Sequence, residues 1–103
     1  MINKALKLIR QFHDLKQVEL ASKLEISKSY LSEIESGKKP VSFEMLEKYS
    51  NEFDIPISSL VFFSESLSSK KGISEKFRAV FSGKVLDMME WLIDRDEQKK
   101  AKA

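Results

Sequence analysis

The 103 residues include no cysteine. Disulfides, thiolate nucleophiles and thiolate metal sites are excluded together, and the chain fits a reducing compartment. Histidine occurs once, at His13, and without cysteines or a dense carboxylate pair at ligand spacing it gives no support for a metal site. It reads as a surface residue of a helix. Three glycines are spread too thinly for a phosphate-cradling loop, and no nucleophile motif is present. Glu44 and Glu47, one helical turn apart, read as a solvated face, so neither an enzyme nor a cofactor is expected. The longest run of large apolar residues, Leu60 to Phe63, falls far short of the roughly 20 residues that span a bilayer. The N-terminal MINKALKLIRQF carries charges inside what would be the apolar segment of a signal peptide, so a cytoplasmic protein with no membrane partner is expected.

Charge of one sign is also lacking. Residues 1–63 carry nine Lys or Arg against nine Asp or Glu, and residues 64–103 carry nine against seven. Bulk charge therefore does not announce nucleic acid, and only local placement of a few donors and cations could. What the chain does have is 42% apolar residues with ten aromatics, enough for one small core.

The apolar rhythm of QVELASKLEISKSYLSEIE, residues 17 to 35, skips at Glu25, Ile26 and Ser27. Leu20, Ala21 and Leu24 keep helical spacing, as do Leu31 and Ile34, but the two sets do not join into one stripe. The spacing predicts two short helices around a tight turn. Ser27 is the expected N-cap of the second and Gly37 the residue past its end. Such an αα-hairpin is either a structural corner or a DNA-reading unit.

Around it, Leu6, Ile9 and Phe12 mark one face of a first helix over residues 2–13. The GKKPV loop leads to a helix capped by Ser42 whose apolar face holds Met45, Leu46, Tyr49 and Phe53. A short fifth helix after Pro56 is expected to bury Ile57, Leu60 and Val61. Five helices with no convincing strand make an all-α bundle. The Ser-rich SESLSSKKGIS then reads as a linker over residues 64–73. Beyond it, Phe77, Phe81, Val85, Met88 and Leu92 form the stripe of a long amphipathic helix, roughly residues 74–97 of a segment 74–103 with a frayed tail. Gly83 costs such a helix about 1 kcal/mol relative to Ala, so a kink or split near Ser82 and Gly83 is compatible with the pattern. The stripe needs cover. It can fold back on the bundle or pair with a second copy, and the Ser-rich linker in front of it favours self-association. Trp91, Met88 and Met89 read as interface or core packing, and Lys70, Lys71, Lys99, Lys100 and Lys102 as solvated charges.

Residues 1–63 resemble the lambda-repressor-like helix-turn-helix domain of the Cro and Xre family. The resemblance rests on Gln17, Leu20, Ala21, Leu24, Ile26, Ser27, Leu31, Ile34, Glu35 and Gly37, preceded by Arg10 and followed by Ser42, Leu46 and Leu60. It implies that helix 27–36 enters the major groove of double-stranded DNA. By the same resemblance Lys28, Ser29 and Glu33 fall on base-reading positions, which suggests a half-site containing G·C pairs. Lys16, Gln17, Tyr30, Ser32, Lys38, Lys39 and Ser42 fall where the DNA backbone is gripped. Arg10 and Glu35 match a pair that joins the first helix to the end of the recognition helix. Two positions depart from the family pattern: Glu25 stands where glycine is frequent, and Lys16 where a capping Ser, Thr or Asn is usual. The resulting expectation is a dimeric transcriptional repressor whose C-terminal helix joins two copies. The alternative is an antitoxin or adaptor of the same fold whose C-terminal helix docks another protein.

Overall fold

Among the described residues four helices end in the same left-handed turn, and only one of those turns uses glycine. The computed structural model describes residues 2–67 and 84–102, with the side chains of the last helix covered over 86–95. α1 (Ile2–Phe12) ends at Asp14, α2 (Gln17–Leu24) at Glu25, α3 (Lys28–Ser36) at Gly37 and α4 (Phe43–Phe53) at Asp54, with φ of 56°, 59°, 85° and 54°. Behind each turn the next amide reaches back five residues: Leu15 to Arg10, Ile26 to Ala21, Lys38 to Glu33 and Ile55 to Ser50. These bonds satisfy carbonyls that the helix end would leave bare. α5 (Ile57–Leu67) follows Pro56, whose carbonyl accepts from Ser59 and Leu60, and α6 (Lys84–Lys102) closes the chain. All six described elements are helices.

The helix starts follow from side chains. Ser27 Oγ accepts the Tyr30 amide at 3.0 Å and Ser42 Oγ accepts the Met45 amide at 3.1 Å. α2 has Lys16 at its cap and no such hydroxyl. Glu19 compensates by accepting the Lys16 amide at 3.0 Å, which is half of a capping box.

The core is formed by Leu6 and Ile9 of α1, Leu20 of α2, Leu31 and Ile34 of α3, Tyr49 of α4, Ile55, and Leu60 and Phe63 of α5. α1 lies centrally, packed on α3 and α5, while α2 packs on α3 and α4. Ala21, 3% exposed, keeps the α2–α3 crossing close.

Three expectations change. α5 runs four residues past Phe63, into the segment read as linker, and Ser64 is buried there because it lies one turn beyond Leu60 on the inward face. That face is Leu60, Phe63 and Ser64, so Val61 stands 41% exposed beside Phe62, not buried. His13 lies just past α1 and is half-buried: its ring sits 4.5 Å from Phe53 and 5.2 Å from Phe12, and its Nδ1 is 2.8 Å from the Ile9 carbonyl.

α6 takes the fold-back arrangement. Met88 is 1% exposed and Met89 5% exposed, both against their own bundle, with Trp91 and Leu92 partly buried beside them. The helix meets α1 and α5; Trp91 makes an edge contact with Phe12 at 5.5 Å, and Arg95 Nη1 donates to Gln11 Oε1 at 3.0 Å. Met88 therefore has a partner surface inside one chain. The helix runs to Lys102. Phe77, Phe81 and the Ser82–Gly83 kink lie outside the described residues, as does the side chain of Val85.

Candidate nucleic-acid interface

The orientation of α3 is set from behind by one buried carboxylate. Arg10 Nε donates to Glu35 Oε2 at 2.7 Å and Arg10 Nη2 to Glu35 Oε1 at 3.0 Å, a two-pronged contact with side chains 11% and 2% exposed. A third guanidinium nitrogen donates to the Leu15 carbonyl at 2.8 Å, so the same arginine fixes the turn between α1 and α2. Gln17, the first residue of α2, donates from Nε2 to Glu35 Oε1 at 3.0 Å. Asn3 adds a bond from Nδ2 to the Glu35 carbonyl oxygen at 3.3 Å. One residue thus binds α1, the start of α2 and the end of α3 into one rigid unit.

On the opposite face of α3, Lys28, Ser29, Ser32 and Ser36 are exposed, and Glu33 and Tyr30 are half-buried, Tyr30 against the core. The exposed row continues through Lys38, Lys39 and Ser42. Among the described residues the ion pairs are Arg10–Glu35 and Lys23–Glu52, so Lys16, Lys28, Lys38 and Lys39 have no acidic partner there. These four lysines, on α3 and in the turns beside it, are exposed and available to phosphate oxygens although the domain as a whole is neutral. Ser42 uses its oxygen to cap α4, which leaves its hydroxyl hydrogen free to donate outward. The first-turn amides of α2 and α4 are helix-end donors of the kind that bind phosphate oxygens.

A helix with a free polar face, held on a second helix across a tight turn and flanked by unpaired cations, is the geometry of a groove reader. The family model described as helix-turn-helix matches residues 6–60. The chain belongs to this helix-turn-helix family, of the Cro and Xre type. It is a DNA-binding regulator by that membership. The control protein C.MunI of a Mycoplasma species is 40% identical over 58 residues, which are 56% of this chain and 78% of that protein. The antitoxin PezA of Streptococcus pneumoniae is 36% identical over 61 residues, 59% of this chain and 39% of PezA. The chain thus matches well under half of the antitoxin's length. No solved structure matches the chain significantly.

Within the helix-turn-helix, the structure brings Arg10, Gln17 and Glu35 together and lines up Lys28, Ser29 and Ser32 on one exposed helix face. Gln17, expected to grip phosphate with its amide, already spends one N–H on Glu35, and the second remains for an outside acceptor. Asn3 was invisible to sequence reasoning because its bond reaches across 32 positions to a backbone atom. The tie from Lys48 Nζ to the Leu24 carbonyl at 3.0 Å, which closes the end of α2 against α4, was missed for the same reason. No described helix is long and apolar enough to cross a membrane.

Proposed function

We propose that the protein is a sequence-specific, double-stranded DNA-binding transcriptional repressor that acts as a homodimer and reads the major groove with α3. The observation that carries this reading is the locked α2–α3 unit, with Arg10, Gln17 and Glu35 behind it and an unobstructed polar face in front. Lys28, Ser29 and Glu33 read bases; lysine donates to guanine and glutamate accepts from cytosine. Lys16, Gln17, Tyr30, Ser32, Lys38, Lys39 and Ser42 hold the backbone and set register. Two copies are needed because one short helix covers a single half-site, and linking two weak contacts raises affinity. Met88 is already buried in its own bundle, so the interface between copies draws on Phe77, Phe81 and Val85 or on the exposed Val61 of α5.

The test is selection of bound fragments from sheared genomic DNA by the purified chain, followed by footprinting near physiological salt. Two protected half-sites with dyad symmetry, centres about 34 Å apart, are the expected result. A folded protein that enriches no sequence overturns the reading.

A second reading is supported by the likeness to a protein named as an antitoxin together with Val61, 41% exposed on α5. In it, α5 docks a different protein. Sedimentation of the chain alone separates the two: a monomer at operator-binding concentration favours docking, and a dimer favours the repressor.

A further inference from the structure

A cavity of about 280 Å³ opens between α1, the end of α3 and α6. Its size lies just under the range of about 300–1,000 Å³ usual for drug-sized ligands, which suits a smaller one. Lys4, Lys7 and Arg95 line it together with Asn3, Gln11 and Glu35. Glu35 does not neutralise these cations, since its two carboxylate oxygens are already engaged by Arg10 and Gln17. Among the described residues no other acid lines the cavity, and no ion pair involves Lys4, Lys7 or Arg95.

The arginine is held in advance. Its Nη1 donates to Gln11 Oε1 at 3.0 Å, and its guanidinium carbon lies 5.5 Å from the centre of the Trp91 ring. The remaining N–H groups of a fixed planar fork match a phosphate or carboxylate, and the bonded Gln11 keeps its own amide N–H pair as a donor. Two exposed lysines and one half-buried arginine thus place three like charges around one concave site. A multivalent anion there gains charge-assisted hydrogen bonds.

We propose that this cleft binds a small multivalent anion, phosphate- or carboxylate-bearing, and that the bound anion straps α6 to α1 behind the recognition helix. The strap reaches α3 because α1 holds Glu35 through both Asn3 and Arg10. The proposal is independent of the DNA-binding reading, since it needs only the fold-back of α6.

The experiment uses the full ¹⁵N-labelled chain titrated with pyrophosphate at constant ionic strength. Saturable shifts centred on Lys4, Lys7, Gln11 and Arg95 are expected. Lys7→Gln is expected to weaken binding about tenfold, the loss of one charge-assisted contact, while Lys28→Gln leaves it unchanged. Lys7 is exposed, so its replacement leaves the fold intact, and Arg95→Gln serves as a second variant. Shifts that do not saturate, or that centre on Lys28, Lys38 and Lys39, overturn the proposal. So does a Lys7→Gln variant with unchanged pyrophosphate affinity but weaker DNA binding and a shallower salt slope, which makes these lysines contacts to DNA phosphates.

Discussion

Arg10 and Glu35 meet in the chain's interior through two parallel N–H···O contacts of 2.7 and 3.0 Å, with the carboxylate side chain only 2% exposed. A buried pair of this kind is not a large net gain over apolar residues of the same shape, but it is costly to leave half-made. Glu35→Ala strands a guanidinium and releases Gln17 together with it, so we expect a loss of about 3–5 kcal/mol in chemical denaturation. Removing both charges, as Arg10→Met with Glu35→Leu, should cost much less than the two single changes summed. A Glu35→Ala variant within about 1 kcal/mol of the parent would mean the pair does not hold the unit together.

The four left-handed turns separate two kinds of residue at one geometry. Asp14 and Asp54 carry short polar side chains that tolerate this region, Gly37 has no Cβ, and Glu25 has neither advantage. Glu25→Gly is therefore expected to raise stability by about 1 kcal/mol. Gly37→Ala should lower it by about 1–2 kcal/mol, because φ is 85° and the new Cβ would lie 3.2 Å from Asn3 Nδ2. Thermal melts of the two variants should move in opposite directions.

Tyr49 is fully buried and its hydroxyl has no partner among the described residues. Burial, reinforced by the Glu35 charge, pushes its ionisation well above the ordinary phenol value of 10.0, with Arg10 acting weakly the other way. The acid form is thus the one the fold accepts. Stability from this group is fully present below pH 10.0 and is lost as the pH climbs from there towards the raised folded value, since the unfolded chain releases the proton first. Tyr49→Phe should flatten that alkaline loss, and at neutral pH it should be neutral or stabilising by up to about 1 kcal/mol. Equal alkaline slopes for the two proteins would contradict the assignment.

The parts of the fold that were legible are those with local causes. Ser27, Ser42 and Gly37 announce helix ends because caps act within four residues, and the skip at Glu25–Ser27 marks a turn for the same reason. Nothing local reveals Ser64, a small polar residue buried only because α5 continues beneath it, nor the choice of Phe63 over Val61 as the inward residue. The Arg10–Glu35 contact spans 25 positions, beyond any periodicity, and was signalled by family resemblance alone. The cover over the stripe of α6 is a tertiary fact: Met88 packs equally well by composition against another copy or its own bundle.

DNA contacts of different kinds should fail differently. Lys28→Ala, at the exposed start of α3, should change which base is preferred at one position of each half-site, at a cost of about 1–3 kcal/mol for the original sequence. Lys38→Ala, in the loop past α3, should weaken all sequences alike and reduce the salt slope by about one charge per site. Binding to operator and scrambled duplexes across a salt series distinguishes them. The reverse pattern would exchange the two roles.

Met88 decides what α6 does for the chain. Its side chain is 1% exposed in a core shared with α1 and α5, so Met88→Ala should cost about 2–5 kcal/mol, the range for deleting buried methionine mass. That loss should be the same at all protein concentrations, because the contact is within one chain. If two copies instead share the residue, the melting temperature of the parent rises with concentration and that of the variant does not. Melts over a hundredfold range of concentration therefore tell intramolecular cover from an interface, and they do so without DNA.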